Sequence, residues 1–498
     1  MTSPLFHIIL ISFFPILSLF SANLHQAQVT DVIVPILIIL PFSLIYLIIL
    51  KLFTKNIIFS SLAVSTSILF IFLFGDIRKL LRINGLLLSI VIITCLSGVI
   101  YWFQKNQSKY TKLTRYFNIL SLVLVIMPLL NILFYISGNM TAKNEYNNRF
   151  SIPLPQDYQN RQMPDIYYLI LDRYAGEKTL KSIYDFDNSE FINTLKTNGF
   201  HIVQNSYANY YSSAHSIASS LNMKYLDDEV KVSGVENKDW KFIYSLILNH
   251  QAGQIFKRLG YSYFHFGSWW WPTTKNQNAD KNINLGLISE FSRVLISNTI
   301  FYPWIEEFNV PFIDARFAQW RRINYQFEQL AKIPDLENPT FIFAHLIIPH
   351  DPFVFQADGK FLKKEEDKNT DDKIKYVNQL KYLNTKLQKL VSEIIKKEKF
   401  SIIIFQADEG PYPDNYEKDK NNFNWNNATK EEIDTKMSIF NAIYFPDGNY
   451  MPFSGTSSPV NTLRIVLNQF LGFNLGLLPE RYYLGNMKYP YKLVEIKK

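Results

Sequence analysis

Ser401-Ile-Ile-Ile-Phe-Gln-Ala-Asp-Glu-Gly410, followed by Pro411-Tyr-Pro413, is the stretch on which the fold turns. An apolar run this rich in Ile reads as a strand buried on both faces of a parallel sheet. It ends in two adjacent carboxylates, Asp408 and Glu409, before Gly410 and Pro411 break the chain. In open α/β sheets the functional groups collect just beyond the carboxyl ends of the strands. Neighbouring carboxylates on a rigid strand end repel unless a cation lies between them, so the pair points to a hard metal ion. A lone acid here would more simply cap a strand-to-loop turn. The partners found elsewhere in the chain favour the metal.

The same grammar recurs. Pro164-Asp-Ile-Tyr-Tyr-Leu-Ile-Leu-Asp172 is another apolar run closed by an acid. Pro339-Thr-Phe-Ile-Phe-Ala-His-Leu-Ile-Ile-Pro-His350 carries His345 and His350 and leads into Asp351-Pro-Phe353. Lone strand histidines are usually structural, but a pair running into an acid is harder to dismiss. Between these runs come a helical pattern at 188–198, a strand at 200–207 and a Ser-rich segment, Asn209–Asn222. Its small residues suit a helix packed tightly on a sheet, with Ser212 or Ser213 near the N-terminus. Backbone N–H groups and the helix dipole favour an anion there, and a metal could activate the hydroxyl to attack phosphorus. Serine is also a common N-cap, so the pattern alone leaves both roles open.

A helix is expected at 250–259 and a strand at 261–266, followed by Gly267-Ser-Trp-Trp-Trp-Pro272. Three consecutive tryptophans cannot all be core. They line a cleft, meet the bilayer interface or form a structural wall. Residues 360–373 read as a solvated charged loop. Ile374, Val377, Leu380, Leu387, Val391 and Ile394 keep helical spacing across 374–398. An Asn-rich loop (414–430), a strand (437–445) and a helix (460–471) follow. Strands alternating with helices predict one α/β domain over 164–498 with a largely parallel central sheet.

The first part of the chain is different. Residues 1–150 hold 11 Lys/Arg and 3 Asp/Glu, while the remaining 348 residues hold 40 of each. The whole formal excess of +8 therefore lies in the apolar third, which argues for a membrane and against nucleic acid. Five apolar runs, 4–24, 32–53, 57–75, 83–103 and 116–137, approach the roughly 20 residues that a bilayer requires. Residues 1–137 are thus expected to form a multi-pass α-helical domain joined by a linker at 138–163. The front end, Met1-Thr-Ser-Pro4, lacks the basic residues of a signal peptide, so the first run reads as retained. Lys105, Lys109, Lys112 and Arg115 place loop 104–115 in the cytoplasm and the domain after 137 outside. Arg78, Lys79 and Arg82 pull the other way, but the larger cluster lies nearer the soluble domain. The near absence of ionisable residues in spans two to five favours an anchor over an ion pathway. Cys95, the single cysteine, rules out an intrachain disulfide and a Cys-rich zinc site.

In their order, these stretches resemble the alkaline phosphatase/sulfatase superfamily. More narrowly they resemble bacterial membrane-anchored sulfatase-like hydrolase/transferase proteins, related to lipoteichoic acid synthases and phosphoethanolamine transferases. The resemblance rests on 164–172, Ser219-Ser-Leu-Asn-Met223, His265-Phe-Gly-Ser-Trp-Trp270, Ala344–His350 with Pro352-Phe353, Gln406–Pro411 and Ser458-Pro-Val-Asn-Thr462. It implies a divalent metal held by Asp172, the Ser213 hydroxyl, Asp408 and Glu409. It also implies a Ser213 nucleophile, with His345 or His350 binding phosphoryl oxygens or protonating the leaving group. Two positions depart from the family. Glu409 stands where relatives often have His or Asn, giving an all-oxygen set that suits Mg²⁺, Mn²⁺ or Ca²⁺ better than Zn²⁺. Arg173 stands where sulfatases tend to have a second Asp.

Formylglycine sulfatases resemble one another in a Cys/Ser-x-Pro-x-Arg motif at the nucleophile. Neither Ser213-Ala-His-Ser-Ile217 nor Ser212-Ser-Ala-His-Ser216 has it. The expectation is therefore an enzyme of the cytoplasmic membrane with its catalytic domain outside. It would transfer or hydrolyse a phosphorus-ester group, of phosphoglycerol or phosphoethanolamine type, on a membrane lipid or envelope glycan. The alternatives are a sulfuric ester hydrolase of the same fold and a degenerate glycan- or partner-binding membrane protein.

Overall fold

β1 (Asp165–Leu171) is buried at every position and runs through the middle of a seven-stranded sheet. The other strands are β2 (His201–Ile202), β3 (Ser262–Phe266), β4 (Lys281–Ile283), β5 (Thr340–Leu346), β6 (Ser401–Gln406) and β7 (Asn441–Tyr444). Their order is β2-β7-β6-β1-β5-β3-β4, parallel throughout except where β7 pairs antiparallel with β6 and β2. The computed structural model describes residues 3–106, 109–139, 152–286, 288–308, 310, 313–333, 336, 338–397 and 399–497. Of the expected linker at 138–163, residues 140–151 lie outside the described residues.

Side-chain alternation sorts the strands between two cores. Tyr168 and Ile170 of β1, Phe341 and Phe343 of β5, and Ile402 and Ile404 of β6 face one core. Ala214, Ile217, Ala218 and Leu221 of the helix Ser213–Asn222 pack there. Tyr167, Leu169, Leu171, Ile342, Ala344, Ile403 and Phe405 face the other, against Leu380, Leu383, Leu387 and Val391 of the helix Asp372–Ile395. With both faces covered, β6 has no polar face to show, which is why its sequence is a continuous Ile run.

The expected strand at 200–207 shrinks to two residues, after which the chain is irregular up to Ser213. The expected strand at 437–445 is only Asn441–Tyr444, because a helix, Lys430–Met437, occupies the approach. That helix is set by a capping box: Thr429 Oγ1 accepts from the Glu432 N–H, and a Glu432 carboxylate oxygen accepts from the Thr429 N–H. Beyond the helix Thr462–Leu471 lies an antiparallel hairpin, β8 (Tyr482–Asn486) and β9 (Tyr489–Ile496), which the sequence did not announce.

The chain divides into two compact units, 1–147 with 287–315 and 148–286 with 316–498. The first holds α1 (Phe6–Ala22), α2 (Ile33–Thr54), α3 (Ile57–Leu81), α4 (Gly85–Lys105) and α5 (Tyr110–Asn139). Four helical segments, Val29–Thr54, Ile57–Leu81, Gly85–Lys105 and Tyr110–Ile136, are long and apolar enough to cross a membrane. α1, with 17 residues, rises only about 26 Å. Leu37, Leu52, Leu133 and Phe134 are each more than 60% exposed, surface that only lipid can cover at low cost. Residues 288–308, expected inside the soluble domain, pack against these helices instead. The Gly75 N–H donates to the Asn298 carbonyl (2.9 Å) and Trp304 Nε1 donates to Ser89 Oγ (3.0 Å).

Ile404 is fully buried on the central sheet, so Ile404→Ala removes core volume that its neighbours cannot refill. The expected loss is about 2–5 kcal/mol, read as a drop in the urea midpoint.

Candidate active site

Strand register brings the expected site residues together. Ile170 of β1 is level with both His345 of β5 and Gln406 of β6. Two residues further on stand Asp172 and Asp408, level with one another. By alternation Asp172, His345 and Asp408 all point to the face on which the helix Ser213–Asn222 packs. All three are buried, and each offers one ligand atom within 4.8 Å of the other two. Inner-sphere bonds of about 2.0–2.6 Å place donor atoms on a common ion within this span.

The hydrogen bonds leave the right atoms free. Asp408 Oδ1 accepts from two backbone N–H groups, Glu409 at 2.9 Å and Arg173 at 3.2 Å. Asp408 Oδ2 has no well-aligned donor, and Asp172 Oδ1 is buried without a hydrogen-bond partner. A buried carboxylate oxygen in that condition is costly unless a cation takes it. The His345 ring lies between the other Asp172 oxygen, 3.2 Å from Nε2, and the Thr273 hydroxyl, 2.8 Å from Nδ1. Thr273 is itself hydrogen-bonded to Ser268 at 2.8 Å. A ring fixed at Nδ1 with Nε2 turned inward is the usual posture of a metal-binding histidine. The residues present therefore fit a divalent ion.

Charges in this pocket pull the two acids apart. Burial drives the Asp172 carboxyl up, but His350, His345 and Arg173 outweigh it and hold its pKa down to about 2. Burial, then Asp172, then Glu409 push the Asp408 carboxyl well above the ordinary range, against the Ser213 hydroxyl and the Arg173 N–H. Like charges at this separation repel by roughly 3 kcal/mol at an effective dielectric near 20, so one acid holds its proton until a cation arrives.

Ser213 is the first residue of its helix, and its hydroxyl is close enough to the Asp408 carboxylate to oppose the rise of that carboxyl's pKa. Ser212, the N-cap, is committed elsewhere. His215 Nε2 donates to the Pro490 carbonyl (2.7 Å), so Nδ1 accepts the Ser212 hydroxyl proton (2.7 Å). Burial lowers the His215 pKa to about 4, which keeps that ring neutral. The β8–β9 hairpin braces the same turn, with the Tyr483 N–H donating to the Asn209 carbonyl (2.9 Å) and the Tyr211 hydroxyl to that of Asn486 (2.8 Å).

Glu409, expected as a ligand, is turned away from this group. Its carboxylate lies 2.8 Å from Lys436 Nζ and 3.2 Å from Arg173 Nε, and Glu409 and Lys436 are essentially inaccessible. Gly410 makes the pairing possible: a Cβ there would lie 2.1 Å from the Thr435 carbonyl oxygen. Only glycine lets the strand end approach that backbone and bring Lys436 in. Tyr412 lies between the cations, its ring centroid 3.5 Å from Arg173 Cζ and 3.9 Å from Lys436 Nζ. Burial lowers the Lys436 pKa to about 8, with Glu409 opposing the fall. Neither Lys436 nor Tyr412 was foreseen, since one basic residue on a charged helix carries no sequence signal.

His350 stands at the edge of the site. Its N–H donates to the Asp172 carbonyl (3.2 Å) and its ring pairs with Asp351 (Nδ1–Oδ1 3.3 Å). Of the three tryptophans, all half-buried, Trp270 sets its ring edge-on to His345 at 5.8 Å.

A family model described as Sulfatase matches residues 181–440. No curated protein is similar to the chain at a significant level. Among solved structures, the C-terminal periplasmic domain of EcEptC from Escherichia coli is similar at 11% identity and a TM-score of 0.46, covering 69% of this chain and 96% of that one. Full-length lipooligosaccharide phosphoethanolamine transferase A (EptA) from Neisseria meningitidis, an integral membrane protein, is similar at 12% identity and a TM-score of 0.40, covering 93% and 95%. A putative sulfatase, yidJ, from Bacteroides fragilis is similar at 13% and 0.39, covering 68% and 83%.

Two substitutions separate the acids by role. The raised Asp408 pKa means that the metal-free fold takes up a proton. Its stability from this group is full below the ordinary carboxylate range and falls as pH rises through the folded-state value. Asp408→Asn should therefore raise the thermal midpoint of the metal-free chain at neutral pH while abolishing metal uptake, read by calorimetry and metal analysis. Glu409→Gln should instead destabilise the fold by about 3–5 kcal/mol, because it strands the fully buried Lys436.

Proposed function

The chain belongs to the sulfatase family, and from that premise we propose a metal-dependent transferase or hydrolase of phosphorus esters with Ser213 as its nucleophile. The observation that carries this reading is the meeting of Asp172, Asp408 and His345 at three adjacent strand ends, beside the helix that begins at Ser213. A divalent ion held by Asp172, Asp408, His345 and Ser213 would lower the pKa of the serine hydroxyl and offset charge on the transferring group. The preference for an all-oxygen ion loses its premise here, because Glu409 is occupied by two cations and His345 contributes nitrogen. Zn²⁺ and Mn²⁺ suit the mixed set better than Ca²⁺.

The chain's own residues account for the rest of the chemistry. Helix packing and the hairpin brace fix the backbone at Ser213, so a substrate bound beside it would be attacked as if in one molecule. Its oxygen forms a bond to phosphorus as the bond to the leaving oxygen breaks, and Asp408 is placed to take the hydroxyl proton. His350, whose N–H bonds the Asp172 carbonyl, is the group we assign to protonate the leaving oxygen. Water or a glycan hydroxyl then takes the group from Ser213 and restores the serine. Thr273, on Nδ1, holds His345 in its orientation and leaves Nε2 for the ion.

Sulfate-ester hydrolysis is disfavoured within the family because neither Ser212 nor Ser213 begins a Ser-x-Pro-x-Arg run. The apolar helices of the first unit make the chain a membrane protein, and a lipid headgroup is the donor we favour. The basic residues Lys105, Lys109, Lys112 and Arg115 support a site on the outer side of the cytoplasmic membrane.

Turnover of an aryl phosphodiester and an aryl sulfate by the metal-loaded chain tests the reading. Ser213→Ala should cut phosphodiester turnover by roughly a thousandfold or more, while Ser216→Ala retains most of it. Ser212→Ala should retain a measurable rate, since it disturbs only a brace. Full turnover by Ser213→Ala removes it as the nucleophile, and a faster aryl sulfate reaction overturns the substrate class.

A further inference from the structure

Arg173 is the residue at which the buried and open halves of the site meet. Its backbone adopts φ 60°, a left-handed conformation that a non-glycine residue holds only when its surroundings impose it. Its N–H donates to Asp408 Oδ1 (3.2 Å) and its carbonyl accepts from the Tyr376 hydroxyl (2.8 Å). The guanidinium is stacked on Tyr412, and its Nε faces Glu409 (3.2 Å). These contacts are buried and permanent. The remaining ion pair is not of that kind. Nη1 contacts Asp351 Oδ1 at 2.8 Å, and the Asp351 side chain is 57% exposed.

We propose that the outward face of Arg173 is the subsite for a tetrahedral oxyanion of the substrate, and that Asp351 occupies it until the substrate displaces it. This inference rests on the phosphorus-ester reading and adds the residue that receives the anion. Three observations support it. The Arg173 charge is fixed by a buried carboxylate and an aromatic ring, so binding an anion costs no reorganisation of the guanidinium. The Asp351 carboxylate is more than half exposed and its other charged contact is the His350 ring at 3.3 Å, so another anion can replace it on Arg173. The place it holds belongs to the reaction site: Asp351 follows His350, whose N–H is on the Asp172 carbonyl, and Asp172 and Asp351 influence one another electrostatically. Guanidinium presents paired donors that match the oxygens of a phosphoryl or sulfuryl group as well as those of a carboxylate.

Full-length protein in detergent, loaded with Mn²⁺ and checked for metal content, is titrated calorimetrically with inorganic phosphate and, separately, inorganic sulfate. Asp351→Asn keeps the side-chain size and removes the competing charge. It should bind phosphate about fivefold more tightly than the wild type. Arg173→Gln should bind it at least about tenfold more weakly, with Arg173→Lys in between. Should Arg173→Gln fail to fold, the Asp351→Asn arm decides alone. Equal or weaker phosphate affinity in Asp351→Asn at equal metal content overturns the displacement by Asp351. Phosphate binding that survives in folded Arg173→Gln overturns the subsite and leaves the phosphorus-ester reading standing. If neither the wild type nor Asp351→Asn binds phosphate with metal in place, that reading fails as well. Tighter sulfate than phosphate binding keeps the subsite and moves the substrate to the sulfate class.

Discussion

Three buried carboxylates crowd the carboxyl end of one sheet, and their mutual repulsion governs the rest of the site. Asp172, Asp408 and Glu409 are each almost fully inaccessible, so solvent does little to screen them. The protein settles this with cations of two kinds. Glu409 is neutralised within the chain by Lys436, in a contact no solvent reaches, and by the largely buried Arg173. Asp172 and Asp408 are left incompletely matched, each with an oxygen for which no well-aligned donor exists. A pair of acids that the fold declines to neutralise is a site kept open for an ion from outside.

That division explains which parts of the site can be read from sequence. An apolar run closed by an acid is a local pattern, so Asp172 and Asp408 are legible in the sequence alone. His345 shares the logic, lying on a run buried on both faces. The direction of Glu409 is not local. Adjacent residues of a strand face opposite ways, so Asp408 and Glu409 could not both aim at one ion without a bend. The choice was made by Lys436, on a helix that comes close only because Gly410 has no side chain. Nothing in the spacing of 409 and 436 reports that meeting. The same holds for Tyr412, which could be read only as part of a turn.

Misplaced elements have comparable causes. Residues 437–445 have strand composition, but the Thr429–Glu432 capping box extends helical structure to Met437 before the sheet can claim the chain. Residues 288–308 lie between segments of the soluble domain in sequence, and contiguity suggested that they fold with it. Instead they pack with α3 and α4 through Asn298 and Trp304, where apolar side chains gain more from neighbouring helices than from water. The hairpin Tyr482–Ile496 contributes mostly backbone groups to the turn that leads into Ser213. Backbone carbonyls such as those of Asn486 and Pro490 have no signature in sequence.

The two serines at the start of the helix Ser213–Asn222 illustrate how such bracing sets two like hydroxyls apart. Chemically Ser212 and Ser213 are identical, and both sit where a helix N-terminus favours a negative oxygen. They differ in what surrounds them. Ser212 gives its proton to a neutral His215 that the Pro490 carbonyl holds in one tautomer, so its lone pairs and its position belong to the scaffold. Ser213 has no such partner on its own helix and turns to Asp408, the acid whose proton is bound most tightly. On the proposed reading, a cation held by Asp172 and Asp408 would displace that proton and draw electron density from the Ser213 oxygen. Metal capture and activation of the hydroxyl would then be one electrostatic event, prepared by the burial and neighbouring acids that raise Asp408.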